Sequence, residues 1–265
     1  MRVTFAGACN RPEFFPWHLA SLEAACLQVP EHIERGEAIP FECVYVGEAP
    51  FPDELRGRWP FLRYYRAPRE IPPAACAAWA LTQGTGDLLY HAIDDYEWEH
   101  GAIAALVGVF DEWCDDRLMP SPRYFVEEGG SEQNWTENLR LIPGRADLPY
   151  LPLDGLISRR FYNDLGGIDR RFHSVMQMVD VFARAVVAGG RTWFTSAAVH
   201  ERRTRYPAGY QSICARTYQA DRPLLESFWF TDGTYEAGAP RVCPVEPYTP
   251  AQLADVGAQL VEASA

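Results

Sequence analysis

Apolar residues fall into short blocks closed by polar turns, and the blocks alternate between a strand-like and a helix-like period. Residues 3–8 (VTFAGA) are apolar on both faces and end at Asn10, Arg11 and Pro12, which predicts a buried strand. From Phe14 to Leu27 the positions Leu19, Leu22, Ala25 and Cys26 recur at helical spacing. Strands are predicted again at 41–46 (FECVYV), 61–65 (FLRYY) and 88–93 (LLYHAI). Between the last two lies an alanine-rich helix, Pro73 to Gln83, whose end is marked by Gly84 and Gly86. Further on, the pattern predicts a helix from Ala102 to Cys114 and a strand at 123–127 (RYFVE). Helices follow from Arg159 to Leu165 and from Val175 to Ala188, and then a strand at 191–199 runs straight into His200. Residues 128–150, rich in Gly, Asn, Pro and charge, read as a long loop or hairpin insertion. Apolar character returns at 151–157, around Asp154 and Gly155. The tail predicts an aromatic helix from Tyr210 to Phe230, a Pro-rich connection, and a small helix near 250–263.

Strand, helix, strand, strand, helix, strand, with later strands apolar on both faces, is the pattern of a parallel sheet covered by helices. Such sheets bind ligands beyond the carboxyl ends of their strands. Three of those ends are polar here: Asn10-Arg11, Glu48 and Asp94-Asp95. Two like charges at the end of a buried strand mean either a ligand site or a solvated turn, and the agreement of three ends favours the site. The simplest division is one domain over residues 1–205 with a C-terminal extension, 206–265, packing on it.

Composition narrows the function classes. The 265 residues are 48% hydrophobic and 23% charged, as in an ordinary globular protein. A net charge of −12 argues against a general grip on nucleic acid or an anionic membrane, while Arg202, Arg203 and Arg205 leave room for a local basic pocket. Seven cysteines, an odd number with no CxxC pair, fit neither a zinc site nor a disulfide framework and read as reduced, mostly buried small hydrophobes. No apolar run approaches the ~20 residues needed to span a bilayer. The start of the chain is a short strand rather than a secretory signal, so a cytoplasmic protein is expected.

Several stretches, in order, carry a family likeness. These are Ala8-Cys9-Asn10-Arg11-Pro12 after the first strand, Gly86-Asp87 with the apolar strand and Asp94-Asp95, and Leu165-Gly166-Gly167-Ile168-Asp169-Arg170-Arg171-Phe172. Asp180 to Arg184, shortly before Gly189, and Val199-His200 complete the set. Together, over residues 3–205, they resemble the GT-A glycosyltransferases, family 2 and its relatives. The resemblance implies a Rossmann-like, mostly parallel central sheet flanked by helices, here with a helical C-terminal extension. It also implies transfer of a sugar from a UDP- or GDP-sugar donor to a glycan or other hydroxyl acceptor.

The roles implied by the resemblance fall on particular residues. Ala8, Asn10, Arg11, Glu48 and Asp94 would contact the nucleotide-sugar, with Asp94 toward the ribose and Glu48 toward the base. Asp95, Glu97 and His200 would hold Mn2+ or Mg2+, which neutralises the diphosphate as the glycosidic bond breaks. Asp180 would be the general base of an inverting displacement, and Asp154, Gly155 and Trp135 would meet the acceptor. The chain departs from the family pattern at Tyr96, where a second aspartate is usual, and at Gln177 and Met178, where a Glu-Asp pair is usual. Those departures keep a retaining mechanism open, and beside it a GT-A-like binding or scaffold domain without turnover. A nucleotidyltransferase on a similar sheet lacks support, because no Gly-rich phosphate loop with a lysine is present.

Overall fold

Four parallel strands form the centre of the computed structural model, which describes residues 1–9, 11–27, 38–128, 131–134, 154–174, 176–202, 213–229 and 240–263. The first half contains β1 (Val3–Ala8), α1 (Phe15–Ala25), β2 (Phe41–Gly47), β3 (Leu62–Arg66), α2 (Pro73–Gln83) and β4 (Leu88–His91). Next come β5 (Tyr96–Trp98), α3 (Ala102–Trp113), β6 (Leu118–Glu128), β7 (Ser131–Asn134), β8 (Leu156–Ser158) and α4 (Arg159–Asp164). The remainder is α5 (Gln177–Val187), β9 (Arg191–Glu201), α6 (Ile213–Trp229), α7 (Pro250–Gly257) and β10 (Val261–Glu262).

The larger sheet runs β10-β3-β2-β1-β4-β8, parallel through β3, β2, β1 and β4 and antiparallel at both edges. A smaller sheet, β5-β9-β6-β7, stands beside it. Alternate residues along each central strand face opposite sides. Val3, Phe5, Cys43, Tyr45, Leu88 and Tyr90 pack with Phe15, Leu19 and Leu22 of α1 and with Ile103 and Leu106 of α3. Ala6, Val44, Val46 and Leu89 pack on the other face with α2, α5 and the aromatic end of α6, Phe228 and Trp229. Each large side chain so buried stabilises the fold by ~1.5–3 kcal/mol. The expected architecture of a parallel sheet between helices is the one observed.

Several elements differ from expectation for identifiable reasons. β6 begins at Leu118, ahead of the predicted 123, and contains Pro120 and Pro122. Proline argues against a strand interior, and here it coincides with a register shift between Ser121 and Arg123. β4 leaves the ladder after His91, so Ala92 and Ile93 start the turn. Within 128–150, Ser131–Asn134 folds back on β6 as a hairpin, and the rest of that stretch apart from Glu128 lies outside the described residues. The tail, predicted to be helical, also contributes β10, which pairs with β3 and extends the main sheet. Of the six described cysteines, Cys9, Cys26, Cys43 and Cys76 are buried, and all six are free thiols.

Candidate functional site

The site begins where three strands end within touching distance. A Cβ on Gly7 would lie 2.1 Å from the Ala92 carbonyl oxygen, and one on Gly47 would lie 1.5 Å from that of Cys9. Only glycine allows backbone to approach backbone this closely. The ends of β1, β2 and β4 therefore converge, and Arg11, Glu48 and Asp94-Asp95 all follow them at the carboxyl edge of the sheet.

Asp94 and Asp95 are buried, so they do not form a solvated turn. The Arg11 backbone N–H donates to Asp94 Oδ2 at 2.7 Å, and Arg11 Nη2 donates to Asp94 Oδ1 at 2.7 Å and to Asp95 Oδ2 at 2.8 Å. Adjacent carboxylates repel in a poorly solvated place, and the guanidinium between them offsets that cost through short, charge-assisted bonds. At the same edge of the sheet lies a cavity of about 260 Å3 lined by Ala8, Gly47 and Glu48 from the strand ends, and by Glu70, His173 and Thr217 from farther along the chain. Sites that enclose a whole small ligand measure ~300–1,000 Å3. This compartment is large enough for part of such a ligand.

The turn carrying Asp94 and Asp95 is braced from within. Tyr96 is buried, and its phenol donates to the Asp154 carboxylate. His18 lies 2.8 Å through Nδ1 from the Tyr96 carbonyl oxygen and 2.6 Å through Nε2 from the Tyr45 hydroxyl. A carbonyl only accepts, so Nδ1 carries the proton and Nε2 accepts from Tyr45. Burial lowers the His18 pKa to about 4, so the ring is neutral.

The proposed metal ligands do not come together. Glu97 accepts from Arg202 Nε at 2.8 Å. His200 stands opposite Glu97 across the β5–β9 pair, but its Nδ1 is 2.6 Å from Glu132 and its ring stacks on Phe125. Asp95 is bound by Arg11. Among the described residues, no group of three or more His, Cys, Asp or Glu side chains is placed to hold an ion. The residues present do not fit the divalent site expected from Asp95, Glu97 and His200.

Asp180 departs from its expected role as base. It is fully buried, and Oδ2 accepts from Arg184 Nε at 2.9 Å while Oδ1 accepts from Arg241 Nε at 2.9 Å and Trp229 Nε1 at 3.0 Å. Both oxygens are committed, and a base must reach the hydroxyl it deprotonates. Arg184 also donates to the Leu165 and Gly167 carbonyls, and Arg241 to Asp169. Gly166 and Gly167, both at positive φ, give the turn that lets these carbonyls face Arg184. Asp169 belongs to the same cluster. Burial raises its pKa, but hydrogen bonds from Arg171 and Arg241 outweigh that and hold it well below the usual carboxylate range. Asp180 thus ties α5 to α6 and to the tail. Met178, one helical step away, is buried in the core.

The other expectations fall as follows. Asp154 is bound by Tyr96, and Gly155 packs where a Cβ would lie 2.5 Å from Ser121 Oγ. Both are buried and present no open surface. Asn10 and Trp135, and Arg203 and Arg205 of the basic cluster, lie outside the described residues. Trp193 is exposed and packs on Trp113. The cavity-lining Glu70, His173 and Thr217 carried no sequence signal, because each reaches the site from an element distant along the chain. Among the described residues, no helix is long and apolar enough to cross a membrane.

No protein-family model matches the chain, and no curated protein matches it in sequence. Solved structures do match. GalNAc-T7 with UDP, GalNAc and Mn2+ aligns at 12% identity with a TM-score of 0.59, over 88% of this chain and 48% of that one. S. aureus TarS in complex with UDP-GlcNAc aligns at 14% identity with a TM-score of 0.55, over 85% of this chain and 65% of that one. A further TarS structure aligns at 16% identity and a TM-score of 0.53. The chain spans between about half and two thirds of the length of these chains. At such identities the shared property is the fold, and this chain has the GT-A arrangement.

Proposed function

We propose that this chain is a nucleotide-sugar-dependent glycosyltransferase that takes a UDP- or GDP-sugar and transfers its hexosyl group to a hydroxyl acceptor such as a glycan. The observation that carries this reading is that the Arg11–Asp94–Asp95 cluster and the cavity lined by Glu48 both stand at the carboxyl ends of the parallel strands. It is the polar end of a crevice at the place where open parallel sheets take nucleotides. Solved chains of the same fold hold UDP and UDP-GlcNAc.

In this reading the nucleobase enters the cavity, where Glu48 accepts from a ring or exocyclic N–H. Asp94 accepts from the ribose hydroxyls, and the cationic side of Arg11 faces the diphosphate. Ala8, without a bulky side chain, leaves the β1 end open to the nucleoside. Asp180, closed off by Arg184, Arg241 and Trp229, takes no proton in this reading. In GT-A enzymes that use a divalent ion, the ion screens the diphosphate's charge. The described side chains here do not fit one.

A second reading, donor binding without turnover, is favoured by one observation: Met178 is buried and Asp180 is sealed by two arginines and an indole. One experiment separates the two. Thermal melting with UDP, GDP and their sugar conjugates should rise for at least one nucleotide. Slow release of free sugar from the same conjugate, followed by chromatography, marks an enzyme, whereas a melting shift with no release marks a binding domain. Absence of any shift would sink both readings.

A further inference from the structure

We infer that the Asp94–Asp95 pair carries its own cation, the guanidinium of Arg11, and that a nucleoside diphosphate binds in this crevice without a divalent metal. The inference rests on the nucleotide-sugar reading of the crevice and concerns what balances charge there.

Three observations lead to it. Arg11 reaches both aspartates at once, at 2.7 and 2.8 Å, while its own backbone N–H holds Asp94 at 2.7 Å. An entering cation would have to displace a guanidinium whose chain is fixed three residues past the end of β1. Tyr96, two positions after Asp94, turns inward to Asp154 and offers no carboxylate. The other two expected ligands already have partners: Arg202 donates to Glu97 at 2.8 Å, and His200 meets Glu132 at 2.6 Å. A guanidinium therefore stands on each acidic group that would otherwise face a metal. It does so on Asp95 through Arg11 and on Glu97 through Arg202.

Arg11 offsets one of the two aspartate charges and so lowers the repulsion that a diphosphate would meet there. A divalent ion at such a site screens the carboxylates and attracts the diphosphate oxygens. Guanidinium supplies a permanent charge with a planar fork of N–H donors, which suits carboxylate and phosphate oxygens alike. Arg202 is about one-third exposed and is shared between Glu97 at 2.8 Å and Glu132 at 3.0 Å. Arg11 is mostly enclosed and keeps the aspartate pair in place.

The test is a calorimetric titration of the purified chain with UDP and with GDP, once in EDTA and once with MnCl2. MnCl2 alone is added in a separate melting experiment. The expected result is one Kd, equal within about threefold in the two buffers, and no melting shift from MnCl2 alone. Arg11→Lys should weaken nucleotide binding in EDTA by about tenfold, because Nη2 holds both carboxylates and an ammonium lacks the further guanidinium N–H groups that would meet phosphate oxygens. Arg202→Gln, at a more exposed position, provides a second variant should Arg11 changes disturb folding, and it should weaken binding by about threefold to tenfold. Binding that needs MnCl2, or a melting shift from MnCl2 alone, would overturn the inference and leave the nucleotide reading intact. No nucleotide binding in either buffer would remove that reading and the inference with it.

Discussion

The phenol of Tyr96 donates to the carboxylate of Asp154, 58 residues along the chain, and this contact fastens the acidic turn to the start of β8. Burial, followed by the nearby Asp154 charge, pushes the phenol's pKa well above its usual value, so it stays protonated and keeps donating. Tyr96 thus gives the turn an anchor at the position where the family usually has a metal-facing aspartate.

Tyr96→Phe should remove the donor and leave Asp154 under-satisfied in the interior. The expected cost is on the order of 1–3 kcal/mol in urea denaturation, since an unmet buried acceptor keeps its full desolvation penalty. A change below about 0.5 kcal/mol would show that the contact carries no weight.

Asp180→Asn should act on stability rather than on donor binding. Replacing this buried carboxylate takes the counter-charge from Arg184, while Arg241 keeps Asp169, at a cost of about 3 kcal/mol. UDP affinity, measured at a temperature where the variant remains folded, should match the parent. A folded Asp180→Asn protein of unchanged stability that had lost sugar release would instead restore Asp180 as the base.

Glu48 is exposed and lines the cavity, so its truncation should have the opposite profile. Glu48→Ala should leave melting nearly unchanged and weaken nucleotide binding by about tenfold, equivalent to ~1.4 kcal/mol. Equal affinity for wild type and variant would take the nucleobase out of this cavity.

His18 gives the fold a pH dependence whose sign is fixed by burial. In the unfolded chain the imidazole titrates near 6.5, while in the folded protein burial lowers it to about 4. Between those values the unfolded state binds a proton that the folded state refuses. Stability present above pH 6.5 is therefore lost as the pH falls toward 4, by on the order of 3 kcal/mol in total. Denaturation curves at pH 7, 5 and 4 should show this fall, and His18→Gln should show it less steeply. Parallel curves for the two proteins would remove His18 from the account.

Legibility followed the range of the interactions. β1, β2, β4 and α2 could be read because their signals are local: apolar runs, helical spacing, and closing Gly and Asn. β5 was missed because Tyr96-Glu97-Trp98 is short and carries a charge, and only its partner β9, about a hundred residues on, makes it a strand. The true start of β6 was hidden by two prolines. At the site, the clustering of Arg11 with Asp94 was readable from the strand ends, and the commitment of Asp180 was not. Its partners Trp229 and Arg241 lie 49 and 61 residues away, and no periodicity reports such a pair.

Gly47→Ala probes the geometry that brings the strand ends together. A methyl there would meet the Cys9 carbonyl oxygen at 1.5 Å and the Tyr64 hydroxyl at 2.6 Å, and the backbone neighbour cannot move aside. The variant should lose about 3 kcal/mol or fail to fold, as judged by circular dichroism.

β10 is only two residues long, yet it lies along β3 with Val261 beside Arg66 and Glu262 beside Tyr65, and the next N–H, from Ala263, reaches the Tyr64 carbonyl at 2.8 Å. Those contacts occupy backbone groups that an open sheet margin would present to any passing strand. β10 therefore covers part of the β3 edge that another strand could otherwise pair with. A protein shortened before Leu260 would keep its crevice and its charge cluster, and would lose its protection against edge-to-edge aggregation.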